Sequence, residues 1–437
     1  KRLPWTSLAL RSRIMPGSLS KDISNDQDAA EKKRAMRMLY VTGFFQVLSS
    51  VVLVQATPGF VLRHHRGHGA RSVQTLNRMT SAAAVLEFLL NPAFGALSDA
   101  LGRKPCLMLA PIATIVCRGM VVLRPTLGPV VAGRLIMGAL LQVFLSALKA
   151  SASDVFGSNP QELASVAGNM QMLVRLAFVV GAALGGKLAA ADARVPYGVA
   201  VAIGVITLGL ISNTYKETLP KSDRKPFTFS ATNPFRFLRL FQSGESMAKL
   251  SLVSALQQLP DNSGDFGLIY AKEIRNWGPE QNGRFMAVSA AAGAVASAFT
   301  GNLTRALGFK TFTTMANVTS ATSNALLGRA TTGLRAYTAV AVGAPGTVRG
   351  AAVNSIMTRV GTDLGMGQGQ LAADQANLAA VIRAAGPLLF GWLYATGVKR
   401  KNKSLPYVTA ALMLLAAECV SSTLPPSQFR RTAPKSE

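Results

Sequence analysis

Apolar and polar positions fall in long blocks along this chain. Apolar stretches of about 18–25 residues, enough to cross a hydrocarbon core roughly 30 Å thick, alternate with short charge clusters such as 31–37 and 399–403. The blocks predict helices over about 36–62, 78–97, 104–123, 127–150, 163–191 and 196–214. A polar link over about 215–245 carries Lys216, Lys221, Arg224, Lys225, Arg236 and Arg239. Six more helices follow, over about 246–272, 281–304, 308–327, 335–358, 373–397 and 405–424. The expected fold is an all-α integral membrane protein with twelve transmembrane helices in two pseudo-symmetric six-helix bundles, 36–214 and 246–424. The basic segment 1–35 is expected to be disordered, and 425–437 to be a tail.

An internal echo supports the duplication. Gly95, Leu97, Ala100, Leu101, Gly102 and Lys104 recur at the same spacing as Gly301, Leu303, Ala306, Leu307, Gly308 and Lys310. These segments follow the second and eighth spans, which are counterparts in a six-plus-six arrangement.

Composition sharpens this picture. Hydrophobic residues make up 49% of the 437 positions and charged residues 15%, with mean hydropathy +0.29. Soluble domains carry roughly 25% charge. The hydropathy is modest for a membrane protein, so the helices are expected to line a polar or small-residue interior as well as facing lipid. The net charge of +26 would suggest nucleic acid in a soluble protein. Here the basic residues sit mainly in links, where they act as topology signals. The expected partners are the lipid bilayer and a small solute, not nucleic acid, with the chain a monomer. The Lys/Arg bias places both termini in the cytoplasm, against the grain of the links 63–78 and 399–403. Arg118, Arg134, Arg175, Lys187, Arg349 and Arg383 fall within spans. The polar start at Lys1 reads as a truncated or processed terminus, and the sequence does not say which membrane (plasma, vacuolar or plastid) holds the protein.

Cys106, Cys117 and Cys419 lie in or beside apolar segments without metal-ligand spacing. His64, His65 and His68 share a loop with Arg63 and Arg66, which repel a cation. No metal or cofactor is expected. Without a nucleotide-binding loop or a catalytic set, neither an enzyme nor an ATP-driven pump is expected.

Several residues carry candidate chemistry. Arg134 lies inside the fourth helix, where an unpaired cation costs several kcal/mol by most estimates. It is read either as a structural arginine satisfied by carbonyls or water, or as a functional one. Gly168, Gly181, Gly185 and Gly186 let the fifth helix approach its neighbours. Glu87 lies two turns before Gly95. Asp261 and Asp265, read either as binding or coupling groups or as solvated charges near the outer mouth, are spaced i, i+4, hence on one face of the seventh helix. Pro260 and Gly264 predict a break there, of the kind that lines a cavity. Gln46, Asn377 and Arg383 complete the candidates for coupling or substrate binding. Glu418 is expected to be peripheral, and Asp154, Glu162, Asp192 and Glu217 to be loop charges. Pro387 after Gly386 predicts a bend in the eleventh helix.

The segment Gly95-Ala-Leu97-Ser-Asp99-Ala-Leu101-Gly102-Arg103-Lys104 resembles the cytoplasmic loop of the major facilitator superfamily. It matches at Gly95, Leu97, Asp99, Gly102, Arg103 and Lys104, and departs at Ala100, where a basic residue is usual. The resemblance implies a gating loop in which Asp99 faces the start of the eleventh helix, near Ala373. Arg134 and Gly138 match an R-x-x-x-G often linked to proton transfer. The glycines of the fifth helix are similar to an antiporter signature, with Ala177 and Ala182 in place of its Gly and Pro. Gly386-Pro387-Leu-Leu-Phe390, preceded by Gly367-Gln-Gly369-Gln, resembles tetracycline-efflux antiporters. Gln46 stands where such relatives often have an acid, and a glutamine cannot carry a proton. The resemblance implies a secondary transporter working by alternating access, with proton-coupled efflux first. An uptake symporter or facilitator, and a non-transporting receptor or scaffold on the same fold, are the alternatives.

Overall fold

The computed structural model describes residues 17–156, 160–224, 234–366 and 368–425. Among them there are helices and no strands. The helices group into twelve antiparallel rods. α1 runs Gly17–Val51 and continues as Ala56–His64, and α2 is Gly69–Leu101. α3 spans Arg103–Ala113, a π-helical turn Thr114–Arg118 and Gly119–Leu123. α4 is Leu127–Phe156, α5 Pro160–Ala191 and α6 Val195–Thr214. The second half holds α7 (Glu245–Asp261, then Phe266–Arg275), α8 (Pro279–Leu307) and α9 (Phe309–Arg329). α10 passes through Gly333–Gly343, a 3₁₀ turn Ala344–Val348 and Arg349–Asp363. α11 is Gln368–Lys399 and α12 Leu405–Ser422.

Among the described residues, eight helices are long and apolar enough to cross a membrane. They are α1, α3, α4, α5, α6, α8, α11 and α12. The other four rods, α2, α7, α9 and α10, are broken or carry more polar residues.

Several boundaries differ from expectation. The first helix begins at Gly17, so the polar segment before Met36 is helical from there rather than disordered; residues 1–16 lie outside the described residues. The link 215–245 is not plain coil, since it holds short helices at Lys221–Asp223, Pro234–Leu238 and Arg239–Gln242. The tail beyond residue 425 and Gly367 lie outside the described residues.

Because the start of α1 and the end of α12 lie at one end, the bundle has a terminal end and a far end. Their cores differ. At the far end a single hydrophobic core is shared by both halves. It joins Phe60, Leu76 and Tyr197 of the first half to Phe266, Tyr270, Phe390, Tyr394 and Tyr407 of the second. Phe266 stacks on Phe390 with centroids 5.9 Å apart, and Tyr407 meets the edges of Phe266 and Tyr270 at 5.0 Å. At the terminal end each half keeps its own core. Cys106, Leu107, Phe144 and Phe156 form one, and Leu240, Met247, Leu250, Met357 and Leu371 form the other. The halves are thus joined at the far end and separately packed at the terminal end.

The halves meet mainly along two helix pairs, α5 with α8 and α2 with α11. Small residues make the first pair close. A Cβ at Gly186 would lie 2.6 Å from the Pro279 carbonyl oxygen and 2.8 Å from Gly283 Cα. Gly181 and Gly185 press on Val51 and the Val52 carbonyl of α1, and Gly386 on the Asn262 carbonyl. Gly168 has open space around it, so it takes no part in the packing expected of it.

Candidate functional site: charge pairs across the halves

A charge inside a bundle is tolerated when a partner offsets its desolvation. Arginines within four of the spans are held in different ways. Arg134 of α4 donates to Asp265 of α7 at 2.9 Å and to Thr80 of α2 at 2.7 Å. Arg383 of α11 donates to Glu87 of α2 at 2.6 Å. Both pairs link one half to the other. Arg349 of α10 stays within its half, donating to Asp261 at 2.5 Å, to Ser320 and to the Gln257 and Gly346 carbonyls. Arg118 of α3 has no carboxylate within ion-pair distance among the described residues. It donates to the Ser49 carbonyl, to Ser49 Oγ at 3.1 Å and to Ser50 Oγ at 3.1 Å.

The break expected in α7 is present, and it changes the reading of its two acids. Gly264 has φ +78°, a left-handed conformation that interrupts the helix. Asp261 and Asp265 therefore do not share a helical face. Asp261 turns to α10 of its own half and Asp265 to α4 of the other. Gly264 also sits where a Cβ would meet Asn77 Oδ1 at 2.5 Å. Asn77, buried on α2, fastens the break. Its Oδ1 accepts from the Asp265 N–H at 3.1 Å and its Nδ2 donates to the Pro387 carbonyl at 2.7 Å. Replacing Asn77 by alanine leaves two backbone groups without these partners. We expect a loss of about 1–3 kcal/mol, read as a lower thermal-unfolding midpoint of the purified protein. Unchanged stability would mean that water takes over both bonds.

The loop 95–104 forms a tight turn on Gly102, at φ +103°. Gly308, its counterpart in the internal echo, turns at φ +78°. Arg103 is buried and donates to Asp99 at 2.6 Å, Asp154 at 3.0 Å and Ser98 at 2.9 Å. Glu217 accepts from the Arg103 and Lys104 backbone N–H groups at 2.9 and 3.1 Å, capping α3 where a helix N-terminus favours an anion. Asp154 and Glu217 are therefore partners of this loop and not free-standing charges. The Asp99 carboxylate is engaged by Arg103 rather than by the start of α11. On α11 the acid near that start is Asp374, which is fully buried, with Arg236 of the link 3.8 Å away.

The remaining candidates fall outside this network. Gln46 is fully buried and donates to Thr114 at 3.4 Å. It has an echo in Gln257 of α7, which donates to Asn317 of α9 at 2.8 Å. Asn377 lies half-buried on α11. Glu418 is no bystander, because it accepts from Thr314 at 2.6 Å and Asn317 at 2.9 Å. His65 binds Thr75 at 2.8 Å, and burial, with His64, Arg71 and His68 nearby, holds its imidazole below the usual histidine range. Among the described residues no cluster suits a metal ion.

Sequence reasoning weighed Arg118 only as a charge within a span, and it missed Asn77, Asp374 and Tyr197. The usable signal was Pro111, which lacks the N–H for a regular helical bond just before the wide turn Thr114–Arg118.

Two helical halves, sealed together at one end and joined by charge pairs at mid-depth, define a multi-pass membrane protein of the transporter type. The chain belongs to the Major Facilitator Superfamily, whose sequence profile matches residues 39–360. It is 27% identical over 334 residues to the class C tetracycline resistance protein of Escherichia coli, covering 76% of this chain and 83% of that one. It is 26% identical over 347 residues to the class G tetracycline resistance protein of Vibrio anguillarum, covering 77% and 85%. Among solved structures, the human organic anion transporter MFSD10 (TETRAN) shares the fold at TM-score 0.65 and 19% identity, over 89% of this chain and 99% of that one. The nucleoside transporter NupG does so at TM-score 0.67 and 12% identity, over 91% and 100%. The protein is thus a membrane transporter of small solutes.

Proposed function

We propose that this chain is a secondary active transporter working by alternating access, with a proton gradient driving efflux of a small organic solute. The observation that carries this reading is the pair of cross-half ion bonds, Glu87–Arg383 and Arg134–Asp265. Protonating either carboxylate removes one side of a bond that holds the halves together. That is a direct way to link a proton to a change of shape. The likeness to tetracycline resistance proteins along most of the chain supports efflux.

In this reading α2, α7, α9 and α10 span the bilayer with the other eight rods, and both termini are cytoplasmic, as the basic links favour. The far end is then external and sealed, and the structure is the inward-facing state. Asp99, Arg103 and Asp154 form a cytoplasmic cluster that stays within the first half while the halves are apart.

The test is flux in proteoliposomes with an imposed pH gradient and a panel of labelled drugs, sugars and organic ions. We expect uphill movement that an uncoupler abolishes and that Asp265→Asn reduces by about tenfold or more. Flux indifferent to the gradient would make the protein a facilitator. Absence of flux for every solute would favour a receptor or scaffold on the transporter fold.

A further inference from the structure

Arg118 is a buried charge that the coupling scheme leaves unused. It is 5% exposed, and its partners are one carbonyl and two serine hydroxyls, which bring no negative charge. The guanidinium cannot shed its proton in a protein, so the site retains a buried cation without a counter-ion among the described residues.

It is also not walled in. Arg118 lines a cavity of about 320 Å³ between α1, α3, α4 and α6. Along α4 the lining runs from Pro129 to Leu141, about 18 Å at 1.5 Å per residue. The cavity therefore reaches from near the sealed far end toward mid-depth. Among the described residues its polar lining is Arg118, Arg134, Ser50, Thr57 and Tyr197, with no carboxylate. The rest is apolar, including Leu53, Val54 and Val121. The volume suits a small organic molecule.

We infer that the transported solute is a small amphiphilic organic anion, with its carboxylate held between Arg118 and Arg134 and its apolar body against α1 and α4. This rests on the reading of the chain as a transporter and names the class of its substrate. The second arginine gives binding a consequence. Arg134 is held by Asp265, a carboxylate from the other half. A substrate carboxylate competes with Asp265 for that guanidinium, and the contact it displaces is one that closes the far end. An uncharged analogue of the same shape has no means of doing this.

The experiment uses the full-length protein in detergent and in proteoliposomes, with benzoate, 2-naphthoate and hippurate, each beside its neutral primary amide. Binding is followed by calorimetry and movement by radiolabel. We expect each acid to bind at least about tenfold more tightly than its amide. Arg118→Gln should remove that preference and weaken acid binding about 100-fold, while Arg118→Lys keeps part of it. If Arg118→Gln does not fold, the wild-type comparison of acid with amide decides alone. Acids that bind in preference but do not move would keep the anion site and overturn the transport reading. Neutral or cationic solutes that move while acids and amides bind alike would keep transport and overturn the anion assignment. Arg118→Gln that folds and still prefers the acids would overturn the role of Arg118, as would failure of every acid to bind.

Discussion

Substituting valine for Gly186 should strongly impair transport by disfavouring closure of the far end. A Cβ at Gly186 would fall 2.6 Å from the Pro279 carbonyl oxygen and 2.8 Å from Gly283 Cα, and both are backbone atoms with no rotamer to escape into. A Cβ at Gly283 meets the same obstacle, 2.5 Å from the Ala182 carbonyl. The helices α5 and α8 must then move apart, and overpacking of this kind costs about 1–3 kcal/mol. That penalty applies only when the far end is shut, so it shifts the balance of states by about 10–100-fold. Flux should fall at least tenfold, with ~1.4 kcal/mol giving that factor. Cys117 lines the cavity beside Arg118 and offers a native reporter. With Cys106 and Cys419 changed to serine, an impermeant thiol reagent added from the far side should label Cys117 in the valine variant and leave it unlabelled otherwise. Wild-type flux with no gain in labelling would mean that the α5–α8 approach is not an obligatory seal.

The second large effect is expected at Glu87→Gln. Glu87 is 8% exposed and binds Arg383 at 2.6 Å across the halves. Breaking a buried ion pair from one side costs about 3–5 kcal/mol at full burial. Arg383 is partly exposed, so the stability loss should be well below that range. The functional loss is a different quantity. Glutamine still accepts a hydrogen bond but cannot take or release a proton, so uphill transport should fall about 100-fold while downhill exchange persists. Parallel measurement of gradient-driven accumulation and solute–solute exchange separates the two. Equal loss of both would make Glu87 a structural residue, and no loss of either would remove it from coupling. In the double variant Glu87→Gln with Arg383→Gln, stability should recover while accumulation does not.

How far these residues were legible in the sequence follows from the range of the interaction involved. The rods could be read because apolar runs and charge clusters are local. Gly264 could be read because a break in a helix favours a residue that tolerates positive φ, and its φ is +78°. The division of labour between Asp261 and Asp265 could not be read from their spacing, since one left-handed residue between them sends their side chains to different halves. Glu87 and Arg383 were each visible as charges in spans, but their partnership joins positions 296 residues apart. Arg103 was visible only as part of the loop motif, since its partner Asp154 lies 51 residues away. Asn77 gave no signal at all, because an asparagine in a polar helix means nothing until the turn of α7 is placed against it.

The unequal cores have a thermal consequence. Opening the terminal end parts two bodies that keep their own apolar interiors, whereas opening the far end parts the core that joins Phe60, Leu76 and Tyr197 of one half to Phe266, Tyr270, Phe390, Tyr394 and Tyr407 of the other. Newly wetted apolar surface raises the heat capacity, and the attraction that opposes such wetting weakens on cooling. The two halves of the transport cycle therefore carry different heat capacities. Cooling well below room temperature shifts the resting population toward the far-open form, so temperature acts on this protein as a conformational bias as well as on its rates.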